Sequence, residues 1–243
     1  MAMLSRWIPG QWKQALKTKL GVPDVFWSIR NLEKNGFRPR RIIDIGAYQG
    51  ERTRDTLKIF PDAHFLMMEA QATKKTFLAE LTGIHPARVQ YSLSLLGAEN
   101  GTEEPFHEVE MASSVLQEHH DTPATDSKKR TVRPDTLTEE LDLEAAGFLK
   151  LDTQGYKLAI LRGGERTLAH AEVVLTEVSL LDVHQHVPLV RDVLNFMGDR
   201  GFQAYDIRSS TRRPLDNALW QTHVIFVRTG SALLADKRCA GSL

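Results

Sequence analysis

Cysteine is almost absent from this chain. Its one cysteine, Cys239, stands in a polar stretch near the C-terminal end, so neither an intrachain disulfide nor a Cys-rich zinc site can form. An excess of charge is also missing. The 31 Lys and Arg residues balance the 31 Asp and Glu residues, which argues against a nucleic-acid binder working through bulk positive charge. No apolar run is long enough to span a bilayer, and the first residues lack the apolar core and small-residue cleavage site of a secretory signal. No G-K-[ST] triplet follows any glycine-rich turn, so a P-loop is excluded. Repeats and low-complexity tracts are lacking too. These absences point to a cytoplasmic enzyme.

What is present is ordinary for a soluble globular protein. Hydrophobic residues make up 42% and charged residues 26% of 243 positions, enough for one domain with appendages. Three segments are expected: residues 1–23, basic and amphipathic; residues 24–230, the domain; and residues 231–243, a polar tail. In the first, Arg6, Lys13, Lys17 and Lys19 meet no acid before Asp24, and Trp12, Leu16 and Leu20 recur at helical spacing. A helix packed on the domain is preferred there to a peripheral membrane contact through residues 1–21.

Apolar periodicity predicts helices over 24–34, 51–60, 72–81, 135–143, 157–168 and 189–200. Strands are predicted over 41–45, 64–68, 89–96, 148–151, 173–178, 202–207 and 222–227, with a further short one over 104–110. The polar stretch 117–131, containing Lys128-Lys129-Arg130, reads as a mobile loop. Strands alternating with helices give an α/β class with a mostly parallel sheet. No helix-length pattern separates the last two strands, so they should pair antiparallel at one edge.

The most informative stretch is Ile42-Ile43-Asp44-Ile45-Gly46-Ala47-Tyr48-Gln49-Gly50. An apolar strand meets an acid and a small-residue turn, and a helix follows. Nineteen residues after Gly50, Glu69 ends the next apolar strand. A glycine turn plus an acid at the neighbouring strand tip describes a nucleotide cradle, the acid accepting from ribose hydroxyls. The dinucleotide pattern G-x-G-x-x-G is incomplete: Tyr48 replaces its middle glycine and Glu51 its last. Glu51 also puts negative charge in the helix's first turn, where a phosphate would otherwise gain from the dipole. A nucleoside without phosphates suits the turn better, S-adenosylmethionine above all, whose cationic groups tolerate Asp44.

The element order resembles the class I S-adenosylmethionine-dependent methyltransferases, and the residues resemble their FkbM family. The carrying motifs are Ile43 to Gly50, the run Phe148-Leu149-Lys150-Leu151-Asp152-Thr153-Gln154-Gly155-Tyr156 continuing to Leu161-Arg162-Gly163-Gly164, then Thr176-Glu177-Val178-Ser179, and Gly201-Phe202 with Asp206-Ile207. The likeness spans about residues 25–229. It implies a Rossmann-like, seven-stranded, mostly parallel sheet with a terminal antiparallel hairpin and helices on both faces. There are departures. Tyr48 stands where the family often has Asn, Ala70-Gln71 where Pro is common, Ser92-Leu93-Ser94-Leu95 where Asn-Ala-Ala-Leu is common, and His223 near a position that is often Asp. A Leu-Asp pair is common before the fourth strand, where this chain has Asp135-Thr136-Leu137-Thr138.

On that resemblance, Asp44, Gly46, Ala47, Gly50, Glu69, Ala70, Ser94 and Asp152 bind S-adenosylmethionine. Ser113, Ser114 and Glu177 face the acceptor, and Asp152, His184 and His186 are the catalytic candidates. Each has a plainer reading: a helix cap for Asp44, loop ordering for Asp152, an ion pair with Lys150 for Glu177, surface hydrogen bonding for the histidines, a polar turn for the serines. No metal is expected, since too few ligands share a suitable spacing. The implied reaction is O-methylation of a small-molecule, natural-product or carbohydrate hydroxyl. N-methylation, an NAD(P)-dependent oxidoreductase and a non-catalytic interaction module remain as alternatives.

Overall fold

The structure, a computed structural model, describes residues 24–110, 113–120, 123–141 and 145–239. The basic amphipathic stretch 1–23 lies outside the described residues. Helix α1 (Val25–Lys34) starts where Asp24 accepts a hydrogen bond from Trp27 N at 2.9 Å, satisfying one of the donors a helix start leaves open. Strand β1 (Arg41–Ile45), helix α2 (Glu51–Ile59), strand β2 (His64–Glu69), helix α3 (Lys75–Ile84) and strand β3 (Val89–Leu93) follow in alternation. After an inserted small sheet come helix α4 (Pro134–Glu140), strand β7 (Phe148–Leu151), helices α5 (Lys157–Gly163) and α6 (Glu165–His170), strand β8 (Val173–Ser179), helix α7 (Val190–Asp199), and strands β9 (Phe202–Arg212) and β10 (Leu219–Arg228).

The large sheet has the order β3-β2-β1-β7-β8-β10-β9. All its pairs are parallel except those of β10, which runs antiparallel to both β8 and β9. The expected α/β class, seven strands and terminal antiparallel pair are therefore present. Because both faces are covered, the central strands read as continuous apolar runs and not as alternation. Ile43, Ile45, Leu149 and Leu151 pack into one core, while Ile42, Phe65, Met67 and Phe148 pack into the other. Phe37, Phe60 and Phe148 meet edge to face, with centroids 5.8 to 6.4 Å apart. The chain runs outward from β1 to β3 and then returns to β7 on the other side of β1. That reversal opens a crevice beyond the carboxyl ends of the strands, where sheets of this kind bind ligands.

Three expectations change. The stretch read as a mobile loop contains strand β6 (Thr125–Val132), which joins β4 (Leu95–Leu96) and β5 (Glu103–Glu108) in a three-stranded sheet of order β4-β6-β5. Its sequence TDSKKRTV has no apolar alternation; partners hold it instead. Lys128 Nζ lies 2.8 Å from Glu103 Oε1, and Lys129 Nζ lies 4.0 Å from the centre of the Phe106 ring while donating to Ala70 O at 2.6 Å. The helix expected over 157–168 divides at Gly163-Gly164. A Cβ on Gly163 would stand 2.0 Å from Gly97 O, so close approach to the inserted sheet requires a residue that also weakens a helix. The last two strands run several residues past their expected bounds. Beyond them, the short turn Ala232–Leu234 tucks Leu234 into the core.

Candidate active site

A cavity of about 320 Å³ lies at the carboxyl ends of β1, β2, β7 and β8. One half is shaped by backbone. Gly46 N and Ala47 N both donate to Met68 O, at 2.9 and 3.1 Å. Gly46 sits at φ +72°, and a Cβ there would fall 2.1 Å from Asp152 O, so only glycine lets the turn pass against the end of β7. The turn then presents Tyr48 N to Glu69 Oε2 at 2.7 Å, and Gln71 N donates to Glu69 Oε1 at 2.9 Å. Two backbone donors thus fix the buried Glu69 carboxylate at the tip of β2. At the mouth, Tyr48 Oη donates to Glu110 Oε2 at 2.8 Å, and Lys74 Nζ reaches the same oxygen at 2.9 Å from a position over the tyrosine ring.

Asp44 lies beneath this turn. It is the register partner of Lys150 on β7, and Lys150 Nζ bridges Asp44 Oδ1 and Gly46 O, both at 2.8 Å. Thr53 Oγ1 donates to the other carboxylate oxygen at 2.6 Å. Asp44 therefore braces the turn from below and does not line the cavity, whereas the resemblance implied that it binds the cofactor.

Side chains from separate strands shape the other half. Glu177 on β8 and His223 on β10 are cross-strand register partners, so they share a face. Asp152, just past β7, completes a group whose oxygen and nitrogen atoms lie within 4.8 Å of one another. His223 Nε2 is 3.7 Å and Arg52 Nε 3.6 Å from Asp152 Oδ2. Gln221 donates to Glu177 Oε1 at 2.8 Å and to Gln154 Oε1 at 3.1 Å. Lys157, at the start of α5, is fully buried, and its Nζ has no hydrogen-bond partner among the described residues.

These neighbours split the two carboxyls. Burial alone would raise Asp152, but Lys150, His223 and Arg52 outweigh it and hold this group well below the usual carboxylate range. Glu177 is pushed up to about 7, first by burial and then by the Asp152 charge, with Lys157 opposing. Burial pushes the Lys157 ammonium down. Among the described residues, Asp152, Glu177 and His223 are the group that could hold a metal ion. Arg52, Lys150 and Lys157 already act on the same carboxylates, and that compensation weighs against a divalent cation.

Of the residues singled out from the sequence, Gly46, Ala47, Glu69, Ala70, Ser94, Ser113, Ser114, Asp152 and Glu177 line the cavity. Asp44, Gly50, His184 and His186 do not. Gly50 begins α2, His186 is exposed, and His184 belongs to a second cavity. Ser114 Oγ donates to Gln154 O at 2.7 Å, and Ser113 Oγ accepts from Val109 N at 2.8 Å, so both serines also order their loop. Sequence reasoning missed Arg52, Gln154 and His223 in the lining, and Lys157 and Gln221, which act on Glu177 from behind it. His223 carried a signal, as a departure from the resembled pattern at the strand that faces Glu177.

The cavity fits S-adenosylmethionine. Glu69 offers a fixed acceptor for a ribose diol, Leu95, Phe106 and Val115 form an apolar wall for a base, and Glu51 at the helix start disfavours phosphate. Fold and site together define an α/β enzyme of the class I methyltransferase type. The model of the methyltransferase FkbM domain matches residues 44–204, and the chain belongs to that family of S-adenosylmethionine-dependent methyltransferases. No curated protein matches it. Among solved structures, the precorrin-6y C5,15-methyltransferase of Geobacter metallireducens is similar at 12% identity and a TM-score of 0.48, over 83% of this chain and 86% of that one. The fibrillarin/Nop5p complex is similar at 12% identity and a TM-score of 0.49, over 82% and 79%. A SAM-dependent methyltransferase from Aquifex aeolicus is similar at 10% identity and a TM-score of 0.42, over 82% and 88%. Among the described residues, no helix is long and apolar enough to cross a membrane.

Proposed function

We propose that the enzyme methylates a hydroxyl oxygen of a small molecule or carbohydrate, in the cytoplasm, without a nucleic-acid substrate. The observation that carries this reading is Glu177: a carboxyl on the cavity floor with its proton affinity near neutrality, beside an Asp152 that stays ionised. An alcohol is a poor nucleophile and gains from a base that takes its proton as the new bond forms, whereas an amine needs only to be unprotonated. S-adenosylmethionine, when bound, supplies a methyl group on a sulfonium whose departure leaves a neutral thioether. The chain's part is to hold the acceptor in line and to move one proton. Gln221 fixes Glu177 Oε1, Glu177 takes the hydroxyl proton, and Asp152 with Arg52 and His223 orients the acceptor through the remaining polar contacts. The cavity's volume of about 320 Å³ supports an acceptor of small size.

The test uses labelled methyl donor with matched hydroxyl and amine acceptors, followed by product analysis. An O-methyl product is expected, with turnover lowered roughly 10²- to 10⁴-fold in Glu177→Gln while S-adenosylhomocysteine affinity is unchanged. An N-methyl product, or full turnover in Glu177→Gln, would overturn the reading.

A further inference from the structure

Gln154 has no part in the proton transfer assigned to Glu177, yet one chain of hydrogen bonds joins the two. The backbone around Gln154 turns tightly. Tyr156 N donates to Thr153 O at 3.0 Å, and Gly155, third in that turn, sits at φ +83°, a conformation that favours glycine there. A Cβ on Gly155 would stand 2.7 Å from Leu116 Cδ1, so the turn is pressed against the neighbouring loop. Ser114 Oγ holds the same turn by donating to Gln154 O at 2.7 Å. Gln154 therefore projects from a fixed backbone.

Its neighbours fix which way its side-chain amide is turned. Gln221 Nε2 lies 2.8 Å from Glu177 Oε1 and 3.1 Å from Gln154 Oε1. That nitrogen carries two hydrogens, one for each oxygen, so Gln154 meets it with its carbonyl end. The NH₂ end is left over. Among the described residues it has no hydrogen-bond partner, and it is not sealed from solvent. Gln154 lines the main cavity, as Glu177 and Asp152 do. Gln221 thus ties the Glu177 carboxyl to a second amide whose N–H donors are open to a guest.

A donor beside a base favours one kind of acceptor. A hydroxyl oxygen has two lone pairs and one hydrogen. One lone pair forms the new bond to the methyl carbon as the carbon–sulfur pair leaves with sulfur, and the hydrogen passes to Glu177 as a proton. The second lone pair can accept from Gln154 throughout. A neutral primary amine has a single lone pair, and that pair must attack. An N–H donor aimed at its nitrogen competes for the pair. We propose that Gln154 selects a hydroxyl over an amine by donating to the acceptor oxygen while Glu177 takes the proton. The proposal rests on the reading of Glu177 as the base, and it makes Gln154 a specificity residue of the same site.

The test is NMR of the full chain with isotope-labelled glutamine side chains and threonine methyl groups. The Gln154 amide signal is assigned by its loss in Gln154→Met. The Thr211 methyl, which belongs to a residue lining the same cavity, is assigned by its loss in Thr211→Val. Propylammonium and 1-propanol are added separately at equal millimolar concentrations, and S-adenosylhomocysteine is titrated in a parallel sample. The expected result is a saturable shift of both signals with 1-propanol, while propylammonium, which has no lone pair, leaves the Gln154 amide in place. In Gln154→Met the alcohol affinity read at Thr211 should fall roughly three- to tenfold, the worth of one neutral hydrogen bond, with S-adenosylhomocysteine binding retained. A shift at Thr211 without one at Gln154, equal alcohol affinity in Gln154→Met, or no saturable response to the alcohol would each sink the proposal. An alcohol response at Gln154 alongside full O-methyl turnover in Glu177→Gln would instead sink Glu177 as the base and leave Gln154 standing as the donor to the hydroxyl.

Discussion

The two halves of the main cavity are built differently. On the cofactor half, the shape comes from backbone: a glycine at φ +72° pressed against Asp152 O, two N–H groups on Met68 O, and two more on Glu69. On the acceptor half, Glu177 and His223 come from two strands, Asp152 from just past a third, and Arg52 and Lys157 from two helices. Their geometry depends on long side chains and mutual charge. A backbone-built half tolerates almost no change at its turn. A half built from side chains can be retuned residue by residue.

The sharpest way to break the comparison is at Gly46. An added Cβ would stand 2.1 Å from Asp152 O, a clash on the order of 1–3 kcal/mol by overpacking, with a further ~1–2 kcal/mol for a side chain in the left-handed region. Gly46→Ala is expected to lower the melting temperature and to abolish S-adenosylhomocysteine binding, measured by calorimetry. Next comes Glu69→Ala, which removes the fixed ribose acceptor and leaves Tyr48 N and Gln71 N without their partner. With about two charge-assisted hydrogen bonds lost to the ligand, affinity should fall roughly 100-fold or more. An unchanged affinity in a folded variant would mean that the strand-tip acid does not hold the ribose.

The acceptor half should respond in pH dependence and not in cofactor affinity. On the proposed mechanism Glu177 must be deprotonated, so turnover should fall as pH drops through about 7. Lys157 lowers the proton affinity of Glu177. Lys157→Met removes that positive charge, so Glu177 should bind its proton more tightly and the acid limb should move to higher pH. A limb that stays in place would show that Lys157 is structural only. Retained S-adenosylhomocysteine affinity in this variant would confirm that the two halves act separately.

The same division explains what the sequence disclosed. The turn Asp44 to Gly50 and the acid Glu69 are contiguous or nearly so, and a backbone cradle needs particular residues at fixed spacing, so they stand out in one chain. The α/β class followed from the alternation of strands and helices, and the terminal antiparallel pair from the missing helix between the last two strands. The floor was harder to see, because Glu177 and His223 are 46 positions apart and become neighbours only through the antiparallel register of β8 and β10. His184 and His186 stood close to the end of β8 in sequence and drew notice that belonged to His223. Strand β6 was illegible for a related reason: its polar residues are held by pairing with Glu103 to Glu108, not by an apolar face of its own.

The smallest expected effect lies where the two kinds of construction meet, at Tyr48. Its N–H belongs to the backbone half and fixes Glu69; its hydroxyl belongs to a side-chain contact with Glu110, which Lys74 shares. Tyr48→Phe keeps the backbone, the ring and the Lys74 contact over it, and removes one hydrogen bond at an exposed carboxylate. If the turn's work is done by backbone, S-adenosylhomocysteine affinity should fall by less than about tenfold, the limit for one modest hydrogen bond. Turnover at saturating donor should not change, because the hydroxyl touches neither Glu177 nor Asp152. A loss as large as that of Glu69→Ala would show that the contact at the mouth holds the turn itself, and the line between a backbone-built half and a side-chain-built half would have to be redrawn through this residue.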